Sequence, residues 1–140
     1  MNDESHSFVW PVRVYYEDTD AGGVVYYANY LKFMERARTE WLRSLGFEQD
    51  QLLQRDGIIF AGREVEVGYH HPARFNDALE VIARLAKKGR ASLTFNQEVI
   101  RTADTQLLCR GTIKIACVDM KTMRPTPIPK RLMTEIPDVD

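Results

Sequence analysis

The chain has 140 residues, of which 44% are hydrophobic and 28% are charged, and this composition predicts one globular domain without a linker or second domain. The net charge of −1 excludes a general attraction to nucleic acid or to an anionic membrane surface. No apolar run approaches membrane-spanning length, and the polar start MNDESHS matches neither a signal peptide nor an anchor. We therefore expect a cytoplasmic protein with no membrane span and no nucleic-acid partner.

The first predicted element is a strand over residues 8–16. Its apolar side chains alternate with polar ones, which is the pattern of a strand with one face in a core. Pro11 favours an edge position or a strand end, and residues 1–7 are expected to be flexible. The apolar side comprises Phe8, Trp10, Val12, Val14 and Tyr16.

A long helix is predicted over residues 30–45, where the apolar period changes to that of a helix. Asn29 is the expected N-cap and Gly46 the expected C-cap glycine. Glu35 lies on the polar side, where a solvated or subunit-contact role is expected. The apolar stripe is broad enough to fill the concave face of a curved sheet, and it comprises Tyr30, Phe33, Met34, Ala37, Trp41 and Leu45.

The rest of the chain predicts mainly strands. A short helical piece over residues 50–55 precedes extended patterns at 58–69, 77–87, 91–102 and 105–118, with turn signals between them. The order β-α-β-β-β-β predicts an α+β fold, an antiparallel sheet wrapped around one long helix. Much apolar sheet surface stays uncovered, so we expect self-association through a sheet edge or face.

The C-terminal segment over residues 119–140 is expected to lie over the surface as a tail. Pro125, Pro127 and Pro129 alternate there, and proline removes backbone donors. This spacing predicts neither a regular helix nor ladder pairing.

The turn between the first strand and the helix is the most informative stretch, EDTDAGGVVYYANY over residues 17–30. Asp18 and Asp20 precede Gly22 and Gly23, and the free N–H groups of a helix start follow. Two interpretations are open. The acids are turn residues that cap backbone groups, or one of them acts as an acid or base on a carbonyl whose oxyanion the backbone N–H groups stabilise.

The longer string from Tyr16 to Tyr30, followed by FMERARTE, resembles the signature of the hotdog-fold acyl-CoA thioesterases of the 4-hydroxybenzoyl-CoA thioesterase family. Within that family it is most similar to the bacterial thioesterases associated with the Tol-Pal envelope system. The resemblance implies Asp20 as catalytic nucleophile or general base, the backbone N–H of Tyr27 as oxyanion donor, and Gly22 and Gly23 shaping the approach. It also implies homodimers that often pair into tetramers, with no metal and no cofactor beyond the coenzyme A of the substrate.

Position 27 departs from the nearest relatives in this resemblance. The envelope-associated enzymes commonly carry His there, whereas the hydroxybenzoyl enzymes carry Tyr, as this chain does. A role of the backbone N–H of residue 27 is possible with either His or Tyr. A proton-transfer role of a His side chain is excluded when Tyr stands there, and the acyl group preferred by the enzyme stays open.

A basic turn is the candidate for binding phosphates. Lys87, Lys88 and Arg90 surround Gly89, a pattern that also fits a solvated hairpin. The family uses this turn for the nucleotide phosphates of coenzyme A, which implies roles for Arg90 and Ser92. We add Lys88 and Arg63 as candidate substrate-binding residues.

The cysteines and the histidine pair carry no metal signature. Cys109 and Cys117 lack metal-ligand spacing and are expected to be buried thiols in a reducing compartment. His70 and His71 before Pro72 match neither a metal pair nor a triad. We expect them to have a loop or subunit-contact role.

Three functions fit these observations. The leading hypothesis is an acyl-CoA thioesterase that releases free acid and coenzyme A. The alternative is a non-catalytic module that binds acyl thioesters or acyl carrier protein and is linked to envelope or phospholipid metabolism. A hydratase or dehydratase ranks last, because no His and acid arrangement can be placed beside the helix.

Overall fold

A computed structural model of the chain describes residues 7–139, which form a five-stranded antiparallel sheet and three helices. The strands are β1 Ser7–Arg13, β2 Ile58–Tyr69, β3 Ala78–Lys88, β4 Ser92–Arg101 and β5 Leu107–Asp119, and the helices are α1 Asn29–Ser44, α2 Gln49–Asp56 and α3 Lys130–Glu135. The sheet order is β1-β3-β4-β5-β2, so β1 and β2 are its two edges. The predicted α+β class is confirmed.

The inner face of α1 packs against one face of the sheet and forms the core with it. The predicted stripe is buried except for Leu45, which is half-buried, and Leu42 is buried as well. Trp41 meets Phe95 edge to face with ring centroids 5.0 Å apart, a favoured aromatic geometry. Burying such large side chains is the main stabilising contribution, and it fixes where α1 begins relative to the sheet.

β1 is shorter than the alternating pattern predicted. It ends at Arg13, and the next residues enter a 3-10 turn, Tyr16–Asp18, in which Tyr16 is 75% exposed. Val14 is buried although it lies beyond the strand. Ser7 already belongs to β1. The remainder of the expectation for residues 1–7 lies outside the described residues.

The predicted N-cap of α1 is wrong by one residue. Ala28 occupies the N-cap position without a side-chain bond, and Asn29 is the first helical residue. The Asn29 side chain is buried and donates from Nδ2 to the carbonyl oxygen of Asp18 at 2.9 Å. At the other end, Gly46 follows the C-cap residue Leu45 with a φ of +94°, a conformation that favours glycine.

The C-terminal segment contradicts the expectation of a tail without regular structure. The N–H of Thr126 donates to Cys117 O, and that of Ile128 donates to Arg90 O, both at 2.9 Å. Alternating prolines leave these intervening N–H groups available, and Pro129 occupies the N-cap position of α3. The segment is therefore part of the core, and its buried side chains include Ile128, Leu132 and Ile136.

Candidate active site

Asp18 shapes the turn that carries Asp20. Its carboxylate accepts the N–H of Tyr15 at 2.8 Å. Its carbonyl oxygen accepts both the Asn29 side chain and the N–H of Tyr26, the latter at 3.0 Å. These bonds tie the turn to the start of α1. The turn-capping interpretation is therefore correct for Asp18.

Asp20 lies exposed in a tight turn closed by its own backbone. Its N–H donates to Val24 O at 2.9 Å, and the N–H of Gly23 donates to Asp20 O at 3.0 Å. The Gly22 N–H donates to Asp20 Oδ1 at 2.8 Å, so the turn-capping interpretation is correct for this oxygen. Oδ2 has no partner within residues 7–139. The carboxylate therefore keeps an oxygen for a ligand.

Both glycines of this turn are needed by its geometry. Gly23 has a φ of +79°, in the left-handed region where a side chain causes strain. A Cβ at Gly22 would lie 3.2 Å from Asp20 Oδ1. A side chain at residue 22 would thus crowd the carboxylate directly.

The start of α1 presents free backbone donors beside this turn. The N–H groups of Tyr27 and Ala28 have no acceptor among the described residues. The positive end of the helix dipole lies at the same place. Such N–H groups can stabilise a negative oxygen on a bound substrate.

An aromatic pocket of about 220 Å³ opens at this helix start. The Tyr69 ring lies 5.7 Å from that of Tyr27 and 5.6 Å from that of Tyr30. Burial raises the pKa of both Tyr30 and Tyr69, so both hold their protons at neutral pH. The pocket is lined by Val25, Tyr27, Tyr30, Tyr69, His70, His71 and Pro72.

The sequence analysis did not predict that His70 and His71 line this pocket. They follow β2, while the other wall comes from residues 25–30. The two segments meet because Val24 pairs with Arg74 in an antiparallel bridge and the Val25 N–H donates to Ala73 O at 2.8 Å. This long-range pairing has no local sequence signal.

The basic turn lies at the other end of the sheet. The segment before the Asp20 turn adjoins the start of β3, since the carbonyl of Asp77 accepts the N–H of Val14 at 2.9 Å. Residues 87–92 lie at the other end of β3, where it joins β4. At about 3.3 Å per residue, the length of β3 separates these ends by about 30 Å. The structure therefore does not bring Lys88, Arg90 and Ser92 to Asp20 within a single chain.

The candidate cationic side chains differ in whether they already form hydrogen bonds or ion pairs within the chain. Lys88 Nζ donates to Ile136 O at 2.7 Å and to Asp138 Oδ1 at 2.9 Å. Arg90 and Arg63 are exposed and form no ion pair within the described part of the chain. Arg63 lies at the irregularity of β2 between Gly62 and Glu64. These arginines are thus available to an anionic ligand, and Lys88 is held by the C-terminal segment.

Other groups considered from the sequence lie outside this site. Burial raises the pKa of Cys109 to about 12 and of Cys117 to about 11, so both are protonated thiols. Glu35 is exposed and accepts the Thr39 hydroxyl at 2.5 Å. Among residues 7–139 there is no group of three His, Cys, Asp or Glu residues able to hold a metal ion. The same residues contain no helix long and apolar enough to span a membrane.

The sheet, its central helix and the donors at the helix start define a hotdog-fold protein of the thioesterase class. The chain belongs to the Thioesterase-like superfamily, whose sequence profile matches residues 14–136. The predicted family and fold are thereby confirmed.

Individual relatives support the same class. The chain is 44% identical to the acyl-CoA thioesterase YbgC of Haemophilus influenzae, over 91% of this chain and 92% of that protein. It is 45% identical to the acyl-CoA thioester hydrolase YbgC of Escherichia coli O6:H1, over 91% and 94%. The structure of a 4-hydroxybenzoyl-CoA thioesterase mutant complexed with 4-hydroxybenzoyl-CoA superposes with a TM-score of 0.87 at 20% identity, over 94% of this chain and 99% of that one. This last likeness is one of fold.

Proposed function

We propose that Asp20 and the N–H of Tyr27 form the active site with which this chain hydrolyses acyl-CoA thioesters. The chain is an acyl-CoA thioesterase, as are relatives at 44% and 45% identity that it covers almost completely. The observation that carries the site assignment is local. An exposed carboxylate with an available oxygen and unpaired helix N–H groups lie within residues 20–28, which lead from the Asp20 turn into α1.

The chemistry follows from these two groups. The N–H of Tyr27 polarises the thioester carbonyl and stabilises the oxyanion that forms when the carbonyl carbon is attacked. Asp20 removes a proton from an attacking water, or attacks the carbonyl itself and forms an anhydride that water then hydrolyses. In either route the C–S bond breaks and the products are a free acid and coenzyme A. Gly22 and Gly23 keep the carboxylate accessible.

The function we propose requires a homodimer, because the phosphate-binding candidates lie far from Asp20 in one chain. Edge strand β2 is long, and Val65 at its middle is 53% exposed. Its C-terminal end adjoins the active site through Tyr69. The N-terminal half of β2 lies at the same end of the sheet as the basic turn, because Ala61 of β2 and Ser92 of β4 both pair with Ala116 of β5.

Antiparallel pairing of β2 with β2 of a second copy would bring these ends together across the interface. A strand edge with unpaired N–H and C=O groups favours such pairing. The partner subunit's Arg90, the partner subunit's Ser92 and the partner subunit's Arg63 would then approach the site of Asp20 and bind the phosphates of coenzyme A. The partner subunit's Lys88 would contribute less, because it is held by Asp138.

Several finer predictions accompany this function. Two dimers would pair into a tetramer through exposed sheet surface, and the reaction would need no metal or organic cofactor. An acyl carrier protein as donor is a further prediction. A link to the Tol-Pal system is predicted from the family resemblance, and a cytoplasmic location is predicted from the polar N-terminal sequence. The chain length and aromaticity of the acyl group are left to a substrate panel.

Thiol release from a panel of acyl-CoA esters tests the function and the site together. Asp20→Asn retains an oxygen able to accept the Gly22 N–H and removes the charge, so it should fold normally and lose most activity. Glu17→Gln, an exposed acid three residues earlier, is the matched control and should retain activity. Binding of acyl-CoA without thiol release by the parent would instead identify a non-catalytic binding module.

A further inference from the structure

The pocket beside Tyr27 contains a residue able to exchange protons that the proposed mechanism has not used. His70 and His71 line this pocket, and they are the only histidines within residues 7–139. Both are exposed, and neither imidazole has a hydrogen-bond partner among the described residues. Imidazole is the side chain that gives and takes protons near neutral pH.

The two histidines differ in what surrounds them at this pocket. Val24 pairs with Arg74 in an isolated bridge, and the Val25 N–H donates to Ala73 O at 2.8 Å, so His71 lies two residues from a residue bonded to the opposite wall. His70 is one residue further along, and its Nε2 lies 3.7 Å from the Cβ position of Gly68, beside the backbone of β2.

The loop that carries His71 is held in place from outside the pocket. Arg101 donates to Pro72 O at 2.9 Å and to Asp77 Oδ2 at 3.2 Å. On the pocket side, the N–H of Ala73 donates to the Tyr30 hydroxyl at 2.9 Å. These bonds fix the backbone on the C-terminal side of His71, so the imidazole is presented to the pocket by an ordered loop.

Thioester hydrolysis leaves one proton transfer unassigned. Asp20 takes a proton from water, and the backbone donors hold the oxyanion, but the sulfur of coenzyme A leaves as a thiolate. Tyr30 and Tyr69 in the same pocket hold their protons, because burial raises the pKa of each. General acid catalysis of this step requires a group that gives a proton to the sulfur as the C–S bond breaks and regains a proton afterwards.

We propose that His71 is the general acid that protonates the departing sulfur of coenzyme A. The tetrahedral intermediate collapses, the C–S bond breaks, and its electron pair moves to sulfur, which takes the proton of the His71 imidazolium. The neutral imidazole is then reprotonated from solvent. The inference rests on the proposed function, and it holds whether Asp20 acts as nucleophile or as general base.

Leaving-group dependence tests this role, since a weakly basic thiolate needs no proton. The same acyl group is supplied as a coenzyme A ester and as a nitrothiophenyl ester, and kcat is measured for the parent, His71→Gln and His70→Gln. We expect His71→Gln to lower kcat for the coenzyme A ester about 100-fold or more and for the nitrothiophenyl ester far less. His70→Gln alters the same pocket, but it should affect the two esters to the same extent.

Each other outcome overturns the inference. Equal losses of the His71→Gln variant on the two esters would indicate a structural or binding role, and unchanged rates would exclude any role. The same selective loss in His70→Gln would mean that the proton comes from His70 instead. Asp20→Asn is measured alongside: if it keeps activity on both esters the proposed function itself fails, whereas its inactivity supports that function independently of the result for His71.

Discussion

The two ends of the sheet differ in what they offer to a substrate. At the start of α1, Asp20 has a free carboxylate oxygen, and Tyr27 and Ala28 have free N–H groups. At the opposite end of the sheet, residues 87–92 present the long flexible side chains of Arg90 and Lys88 to a substrate. Lys88 already forms an ion pair with Asp138. The first end suits bond-making chemistry, and the second suits the binding of charge.

This difference explains why a single chain would be an incomplete enzyme. Fixed donors at a helix start can distinguish a transition state from a substrate. Flexible cations hold the nucleotide equally in both states and so affect binding alone. The length of β3 keeps the ends apart, and antiparallel pairing of β2 is the arrangement that would unite them.

Asp20→Asn should show the largest effect and should not depend on the nucleotide. We expect kcat to fall by about 10²–10⁴-fold, both for a coenzyme A ester and for the corresponding short thioester without the nucleotide, because the carboxylate acts on the thioester itself. Thiol release measured on both esters checks this. A loss confined to the coenzyme A ester would assign Asp20 to substrate binding. It would contradict the proposal that one end of the sheet performs catalysis and the other binds the nucleotide.

Arg90→Ala should produce the converse pattern. Loss of a charge-assisted hydrogen bond to phosphate costs about 1.5–3 kcal/mol, so KM for a coenzyme A ester should rise about tenfold to a hundredfold. KM for the short thioester should hardly change. Lys88→Ala is the matched control: it should raise KM less and lower the melting temperature, since it releases Asp138 and the carbonyl of Ile136.

Asn29→Ala should have the smallest effect of the three, on positioning and on stability together. Asn29 is 8% exposed, and its amide holds the Asp18 carbonyl next to the helix start. Removing this buried bond should lower the free energy of unfolding by about 1–3 kcal/mol and kcat by about tenfold or less.

Chemical denaturation and kcat together check this prediction. Asn96→Ala, which removes an exposed amide on β4, is the control and should change neither quantity appreciably. An Asn29→Ala variant with the stability and kcat of the parent would show that the Asp20 turn holds its position without this bond.

The elements with a clean periodicity were predicted to within one or two residues, and the exceptions have physical causes. β2 matches its predicted range of residues 58–69. β1 was predicted too long, because Val14 and Tyr16 continue the alternation while the turn bonds of Asp18 end the strand. The prolines misled the prediction for the tail, because they leave alternate N–H groups free to bond with Cys117 O and Arg90 O.

The same contrast applies to the site. Asp20, the two glycines and Tyr27 lie within eight consecutive positions, so a turn before a helix start could be predicted from local chemistry. The choice of Asp20 and of the Tyr27 N–H came from the family resemblance. His71 lines the same pocket as Tyr27 because Val24 pairs with Arg74, and no local pattern reveals that pairing. The separation of Arg90 from Asp20 likewise follows from strand order, which appears only when the sheet is assembled.

Mixed dimers give the most direct test of a site shared between two subunits. Subunits carrying Asp20→Asn and subunits carrying Arg90→Ala are given different affinity tags, and the hybrid is purified and assayed with a coenzyme A ester below KM. If Asp20 of one subunit works with the partner subunit's Arg90, each hybrid has one intact site and should recover about half the parental activity. Activity no higher than that expected from two singly defective sites would place Asp20 and Arg90 in the same subunit's site and contradict the shared site.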